Sequence, residues 1–429
     1  MRRALPVAAG FALRLALGWL VDAPPTWDGA LYERGAQSLA SGLGYSCFMF
    51  GPGADPRVAT AYYPVGFPAY LAGFYALLGV GSLARLLAGA LAGAAAVAMS
   101  ERLASRVVDP RSARVVAWVV ALAPGAALFA SAPMTETLWG AQLAASVLAV
   151  TSTRGSSRAR WVASGALLAA ASFVRPQALI LAPLLPLVPS GDARTRAARA
   201  AATCLVVALL VAPWALRNCA RLDGCAAIST NGAGNFAIGA APRADGRYLA
   251  LTARDGCGGV VGELARARCW SDTSRRWVAR DPRRWLRLVE PKVWHTWGYE
   301  AFPAGYLRAA RPDALSDAGE ARLRALLTAH WGALLALLIA SLLPTHPRRP
   351  LGATGRAALV TLAAITATHA AFFGGDRYHL PLLALVAPLA ARAFDGVAPW
   401  RRRRWRWVES SVDGSARTLE LHGSERGEA

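Results

Sequence analysis

The chain holds a single lysine, Lys292, among its 47 basic residues, and only 26 acidic residues in 429. Charged residues make up 17% of it, short of the roughly one quarter with which a soluble domain covers its surface. Histidine is scarce, and there is neither a Cys-x-x-Cys pair nor a His-Glu-x-x-His run, which argues against a structural or catalytic zinc site. No internal repeat divides the chain into the related halves expected of many transporters. What remains is apolar. Hydrophobic residues reach 55%, in blocks long enough to cross a bilayer. The fold expected is all-α, a polytopic transmembrane helix bundle.

The formal net charge of +21 could mean nucleic acid. Here, however, the arginines gather in short stretches between apolar blocks, as cytoplasmic loops do, and no nucleic-acid partner is expected. The N-terminus, MRRALPVAAGFALRLALGWLVDAPP, reads as an uncleaved first helix, because Arg14 interrupts its core and no clean cleavage site follows. Arg14 is costly in lipid and should face other helices or water. A short helix and one full span are expected within 67–108, then spans near 115–130 and 138–150. Two short spans should meet at the Arg175-Pro176 elbow, since proline disfavours helix at the residue before it. TSTRGSSRAR and GDARTRAARAA read as basic cytoplasmic loops. Further spans near 204–214, 323–343, 357–373 and 380–394 bring the count to about ten. The expected organisation is an N-terminal membrane module (1–216) with a first outer loop (22–66), an outer region (217–322), C-terminal transmembrane helices (323–396) and a basic tail (397–429) attracted to anionic lipid.

With the N-terminus inside, every short basic loop falls inside. The polar candidates then converge on the outer face: Asp28, Glu136, Arg175, the 217–322 region and the run Asp376-Arg377-Tyr378. Five of the six cysteines, Cys47, Cys219, Cys225, Cys257 and Cys269, fall outside as well, with Cys204 in a span. Disulfides are allowed if that face is periplasmic. Cys257 with Cys269, or Cys219 with Cys225, are candidate pairs, and spacing alone leaves the connectivity open. Residues 24–68 organise the rest. Asp28, Tyr32 and Glu33 lie on a segment of helical spacing whose Leu31 and Leu39 suit a helix at a membrane surface.

Several motifs occur in a fixed order: WDGALYERGAQSLASGLGY, YYPVGFPAY, MTETL, SFVRPQAL, PWALRNCARLDGCAAISTNGAGNFAIG and DRYHLPLLA. Together they resemble the GT-C superfamily of polytopic glycosyltransferases, above all the bacterial branch related to protein O-mannosyltransferases and the aminoarabinose transferase of lipid A. The resemblance spans nearly the whole chain. It implies inverting transfer of one sugar, a mannose-like hexose or a pentose, from a polyprenyl-phosphate-sugar donor on the outer face of a bacterial inner membrane. The acceptor would be an envelope glycan, lipid or protein. By position it makes Asp28 the general base. Many relatives carry two adjacent acidic residues there, whereas this chain has Trp27-Asp28-Gly29, so a second carboxylate must come from elsewhere or be absent, and a divalent cation is possible but not indicated.

Such chemistry needs a base, cationic groups for the departing phosphate, and a groove for the isoprenoid. Asp28, close to water yet near low-dielectric lipid, is expected to have a raised pKa, though a helix-start role beside Thr26 is the alternative. Arg175, Arg217 and Arg377 are candidate phosphate clamps, because the planar guanidinium fork binds two oxygens. Arg175 could instead pair with Glu136 or Asp28, and the other two could simply snorkel to the interface. Tyr378 beside Arg377 is a donor-contacting candidate. Tyr32, Glu33, Tyr63, Glu136 and Asn231 are the supporting or acceptor-binding candidates; interface anchoring, helix capping and loop geometry are their alternatives. Two rival functions remain open from sequence, a lipid-linked glycan flippase or transporter and a catalytically inactive envelope scaffold.

Overall fold

The computed structural model describes residues 4–46, 58–153, 157–343 and 350–394; Cys47 and the basic tail lie outside the described residues. Helix α1 (Leu5–Val21) places Arg14 in the bundle, 2% exposed. Helix α2 (Trp27–Ala40) follows, a helix as its spacing predicts, then the short α3 (Gly66–Leu78) and the long α4 (Ser82–Ala104). The span expected over 115–130 is instead broken into α5 (Pro110–Leu122) and α6 (Pro124–Phe129). Pro124 has no N–H to give to Val120, and Ala123 before it turns to ψ 114°. The carbonyls so released are taken by Arg14, whose Nη1 donates to Ala121 O at 2.9 Å and Nη2 to Val120 O at 3.1 Å. Gly93 of α4 makes room, since a Cβ there would sit 2.3 Å from the arginine stem. The buried charge thus satisfies a proline break and faces helices rather than lipid.

Helix α7 (Glu136–Val150) packs against α4, and α8 (Ser157–Val174) against α7. The elbow is where the sequence placed it: Arg175 is extended (φ −145°, ψ 117°), and Pro176–Ile180 continues as a 3-10 turn into the four-residue α9 (Leu181–Leu184). GDARTRAARAA is not a loop. Asp192 accepts from Thr195 N at 2.8 Å and caps α10 (Ala193–Arg221), which absorbs most of that arginine-rich stretch into its first turns.

The region after α10 carries α11 (Gly232–Ala240), α12 (Glu263–Arg280), α13 (Pro282–Arg287), α14 (Val289–Trp297) and α15 (Phe302–Ala310). Both candidate cysteine pairs are joined, Cys219–Cys225 and Cys257–Cys269, and Cys204 is free. Helices α16 (Asp317–Leu342), α17 (Ala353–Ala371) and α18 (Leu383–Ala390) complete the bundle. Among the described residues there is no strand, only an isolated bridge between Ser46 and Ala59, and three helices, α4, α10 and α16, are long and apolar enough to cross a membrane.

Candidate functional site

Asp28 stands in the first turn of α2, directly after Trp27, whose backbone is left-handed (φ 49°), an unfavourable state for a bulky residue. The turn is fixed from the side by Tyr306 of α15, whose hydroxyl accepts from Thr26 N at 3.0 Å. Gly29 is required for this. A Cβ there would come within 2.6 Å of that hydroxyl, and Tyr306 is hemmed in by Trp27 and Phe129.

The YYPV run reaches Asp28 through a clamp that sequence inspection missed. Glu263, at the start of α12, accepts from Thr60 Oγ1 at 2.7 Å, Ala61 N at 2.9 Å and Thr230 Oγ1 at 2.8 Å. Thr230 N in turn donates to Ala61 O. Held this way, Tyr63 donates its hydroxyl to Asp28 Oδ1 at 2.7 Å. From the other end of the chain Arg377 donates Nη1 to Asp28 Oδ2 at 2.6 Å. The Arg377 loop is anchored on both sides. Asp376 accepts from the backbone N–H groups of Ala301 and Phe302 at the start of α15, and His379 bonds Thr296 O at 2.8 Å and Glu300 at 3.1 Å while stacking on Trp331. Glu300 went unnoticed in the sequence, where nothing marks it among other acids, and Asp376 was noted only as part of the outer-face run Asp376-Arg377-Tyr378, without a role of its own.

A second charged pair lies behind the first. Arg175, turned inward by its elbow, donates Nε to Thr135 Oγ1 at 2.8 Å and Nη2 to Glu136. Its guanidinium lies 5.4 Å from the Trp139 ring centre and 5.6 Å from that of Tyr378, and Arg377 lies 5.2 Å from the same Tyr378 ring. Tyr378 is thus wedged between two cations. The Asp28–Arg377 pair is reachable, with side chains 23% and 19% exposed, whereas Glu136 is sealed at 1%.

The electrostatics reverse one expectation. Burial does push the Asp28 carboxyl up, but the Arg377 charge, the hydrogen bonds from Tyr63 and Arg377, and the Arg175 charge together outweigh it, and the pKa lies below the ordinary aspartate value. Burial, then the Asp28 charge, pushes the Tyr63 hydroxyl up, so it stays a donor.

Other sequence candidates are placed elsewhere. Tyr32 shares the Asp28 face of α2 one turn on, buried against Tyr63 and Phe67. Glu33 is rotated away and closes on Arg85 at 2.8 Å and Tyr75 at 2.7 Å. Arg217 donates to Thr60 O at 2.8 Å and Tyr45 O at 2.7 Å, fastening the loop that carries the tyrosines. Asn231 precedes α11, its N–H on Tyr62 O at 3.2 Å and its side chain accepting from Ser229 at 3.1 Å. Among the described residues no three His, Cys, Asp or Glu side chains gather. Two carboxylates of the site, Asp28 and Glu136, each already hold an arginine.

No protein-family model matches the chain, and no curated protein matches it. Solved structures do. The oligosaccharyltransferase of Archaeoglobus fulgidus superposes in its apo form with a TM-score of 0.53 at 14% identity, over 91% of this chain and 50% of that one. The same archaeal protein, AglB, in complex with an inhibitory peptide and a dolichol-phosphate gives 0.51 at 14% identity, over 90% and 50%. ArnT from Cupriavidus metallidurans bound to undecaprenyl phosphate gives 0.43 at 15%, over 91% and 77%. The chain spans about half the length of the archaeal protein. At 14% identity the likeness to the archaeal protein is one of fold.

Proposed function

We propose that the protein is a membrane glycosyltransferase of about ten spans that moves a single sugar from a polyprenyl-phosphate-sugar donor to an envelope acceptor on the extracytoplasmic face. One observation carries this: a reachable carboxylate, Asp28, held between a tyrosine hydroxyl and a guanidinium, with a second guanidinium, Arg175, beside it at the mouth of an apolar bundle. That combination suits a base and a phosphate clamp sharing one cation.

In this mechanism the acceptor hydroxyl oxygen attacks the anomeric carbon as the bond from that carbon to the phosphate oxygen breaks. The acceptor proton passes to Asp28, and the bond pair leaves with polyprenyl phosphate. The configuration inverts. An aspartate with a depressed pKa is a poor base, so its pairing with Arg377 must loosen first. A donor phosphate draws the same guanidinium, and once Arg377 turns to the phosphate the carboxylate regains basicity. Tyr63 then keeps the carboxylate oriented, and Arg175, fixed by Glu136 and Thr135, adds positive potential without moving.

The test compares wild type with Asp28→Asn in nanodiscs, given a panel of labelled polyprenyl-phosphate sugars and membrane extract as acceptor source, following release of polyprenyl phosphate. Release by the wild type with a loss of at least roughly 100-fold in the variant is the expected result. Equal turnover by both proteins removes Asp28 as the base. An absence of turnover with every donor removes the proposed activity.

A further inference from the structure

A second charged feature lies far from Asp28. The C-terminal end of α7 and the N-terminal end of α8 border a cavity of about 410 Å³, lined by Arg160, Arg199 and Arg356, with Trp161 as its wall and no Asp or Glu among the described residues of its lining. Helix α7 begins at Glu136 and ends here, and its 15 residues rise about 22 Å, so this cavity and the Asp28 site occupy opposite ends of the bundle.

Three guanidiniums around one cavity should repel each other unless something anionic joins them. The fold holds each in place by one terminal nitrogen: Arg160 on Ser152 O at 2.6 Å, Arg199 on Ser190 O at 2.9 Å and Arg356 on Leu351 O at 2.8 Å. Carbonyls position these groups but do not neutralise them. A guanidinium carries five N–H donors, so capacity is left over, and the Arg160 Nε is buried without a hydrogen-bond partner among the described residues. Trp161 is flanked by two of the cations, Arg160 at 5.9 Å and Arg199 at 5.2 Å from its ring centre. The first turn of α17 opens on the same cavity, and its N-cap, Gly352, offers no side-chain acceptor to the free N–H groups. Exposed Val162 and Leu205 on α8 and α10 place apolar surface nearby.

We propose that this cavity binds a phosphate group, carried by an anionic phospholipid headgroup or by a soluble phosphate, at the face opposite the catalytic one. Guanidinium forks, an uncapped helix start and hydroxyls supply donors of the kind a phosphate oxygen accepts.

Detergent-purified full-length protein stripped of lipid would be titrated with phosphatidylglycerol, phosphatidylcholine and inorganic phosphate, with binding read by native mass spectrometry and by shift of the unfolding temperature. Wild type should bind phosphatidylglycerol, and Arg160→Gln/Arg199→Gln should weaken it by at least roughly 10-fold, the scale of one lost charged hydrogen bond. Arg194→Gln, an exposed arginine of α10 outside the cavity, should leave binding unchanged. Should the double variant fail to fold, the exposed Arg356→Gln carries the same expectation. Displacement of the lipid by inorganic phosphate assigns the site to a soluble phosphate; retention of the lipid assigns it to the headgroup. Phosphatidylcholine bound as tightly as phosphatidylglycerol, variants that bind like wild type, or a wild type that binds neither ligand would overturn the proposal.

Discussion

Replacing the chain's only lysine should change how stability depends on pH. Lys292 of α14 is fully buried, donates Nζ to Ala371 O at 3.2 Å, and lies over the Trp285 ring at 5.2 Å. Burial first, and the nearby Arg284 charge second, bring its pKa from 10.5 to about 8. Above about pH 8 the folded protein therefore releases a proton that the unfolded chain keeps until about 10.5. Between those values the unfolded state binds more protons, so stability rises with pH. The gap between 10.5 and about 8 amounts to about 3 kcal/mol. Lys292→Met keeps the length and apolar stem but cannot titrate. At about 2.1 cal/mol/K per residue, 429 residues unfold with an entropy of about 0.9 kcal/mol/K, so about 3 kcal/mol corresponds to about 3 °C. Unfolding would be followed by tryptophan fluorescence in neutral detergent from pH 7 to 10.5, wild type beside variant. The unfolding temperature of the wild type should gain about 3 °C on the variant across that range, with tyrosine and arginine titration common to both cancelling in the difference. Parallel curves would show that the lysine stays charged inside the fold and would refute the reasoning.

Two further outcomes follow from the paired charges. Glu136→Ala leaves the Arg175 guanidinium buried without its carboxylate and should cost about 3–5 kcal/mol of stability, while Glu136→Ala/Arg175→Gln should recover part of that; equal losses in the single and double variants would mean the pair is not the cause. Asp28 has a depressed folded-state pKa, so its contribution is complete above the unfolded aspartate value of about 3.9 and is lost as pH falls through the lower folded one. Asp28→Asn should flatten the acid side of the stability profile, and an unchanged acid midpoint would count against the ion pair with Arg377.

Local chemistry was legible in the sequence and long-range pairing was not. The Arg175 elbow could be read because proline acts on its immediate neighbour, and α2 because its apolar spacing is local. The same locality misled at 115–130, where hydropathy alone hid the break that Pro124 imposes, and at GDARTRAARAA, where charge suggested a loop although Asp192 caps a helix. At the site, Asp28 and Arg377 were each marked by position at an outer helix end, but the hydrogen bond between residues 349 apart has no local signature. Glu263 is the clearest omission. It sits in an arginine-rich region where one acid looks like another, and only the three donors that converge on it reveal that it holds the tyrosine loop. The depressed Asp28 pKa was inverted for a similar reason: proximity to lipid could be inferred, but the distance to two guanidiniums could not.

The contact between Gly29 and Tyr306 bears on how this lineage can change. A second acid, at position 29, would drive its Cβ to within 2.6 Å of the Tyr306 hydroxyl. Pro133 and Met134, at 3.4 and 3.6 Å, leave little room on the other sides. Placing an acid beside Asp28 therefore takes two steps, a smaller residue at 306 before the acid at 29. The first step alone leaves Thr26 N without its acceptor and Trp27 without one of its aromatic neighbours. Either change alone thus carries a packing cost, so positions 29 and 306 are coupled: the residue at one decides what the other can hold.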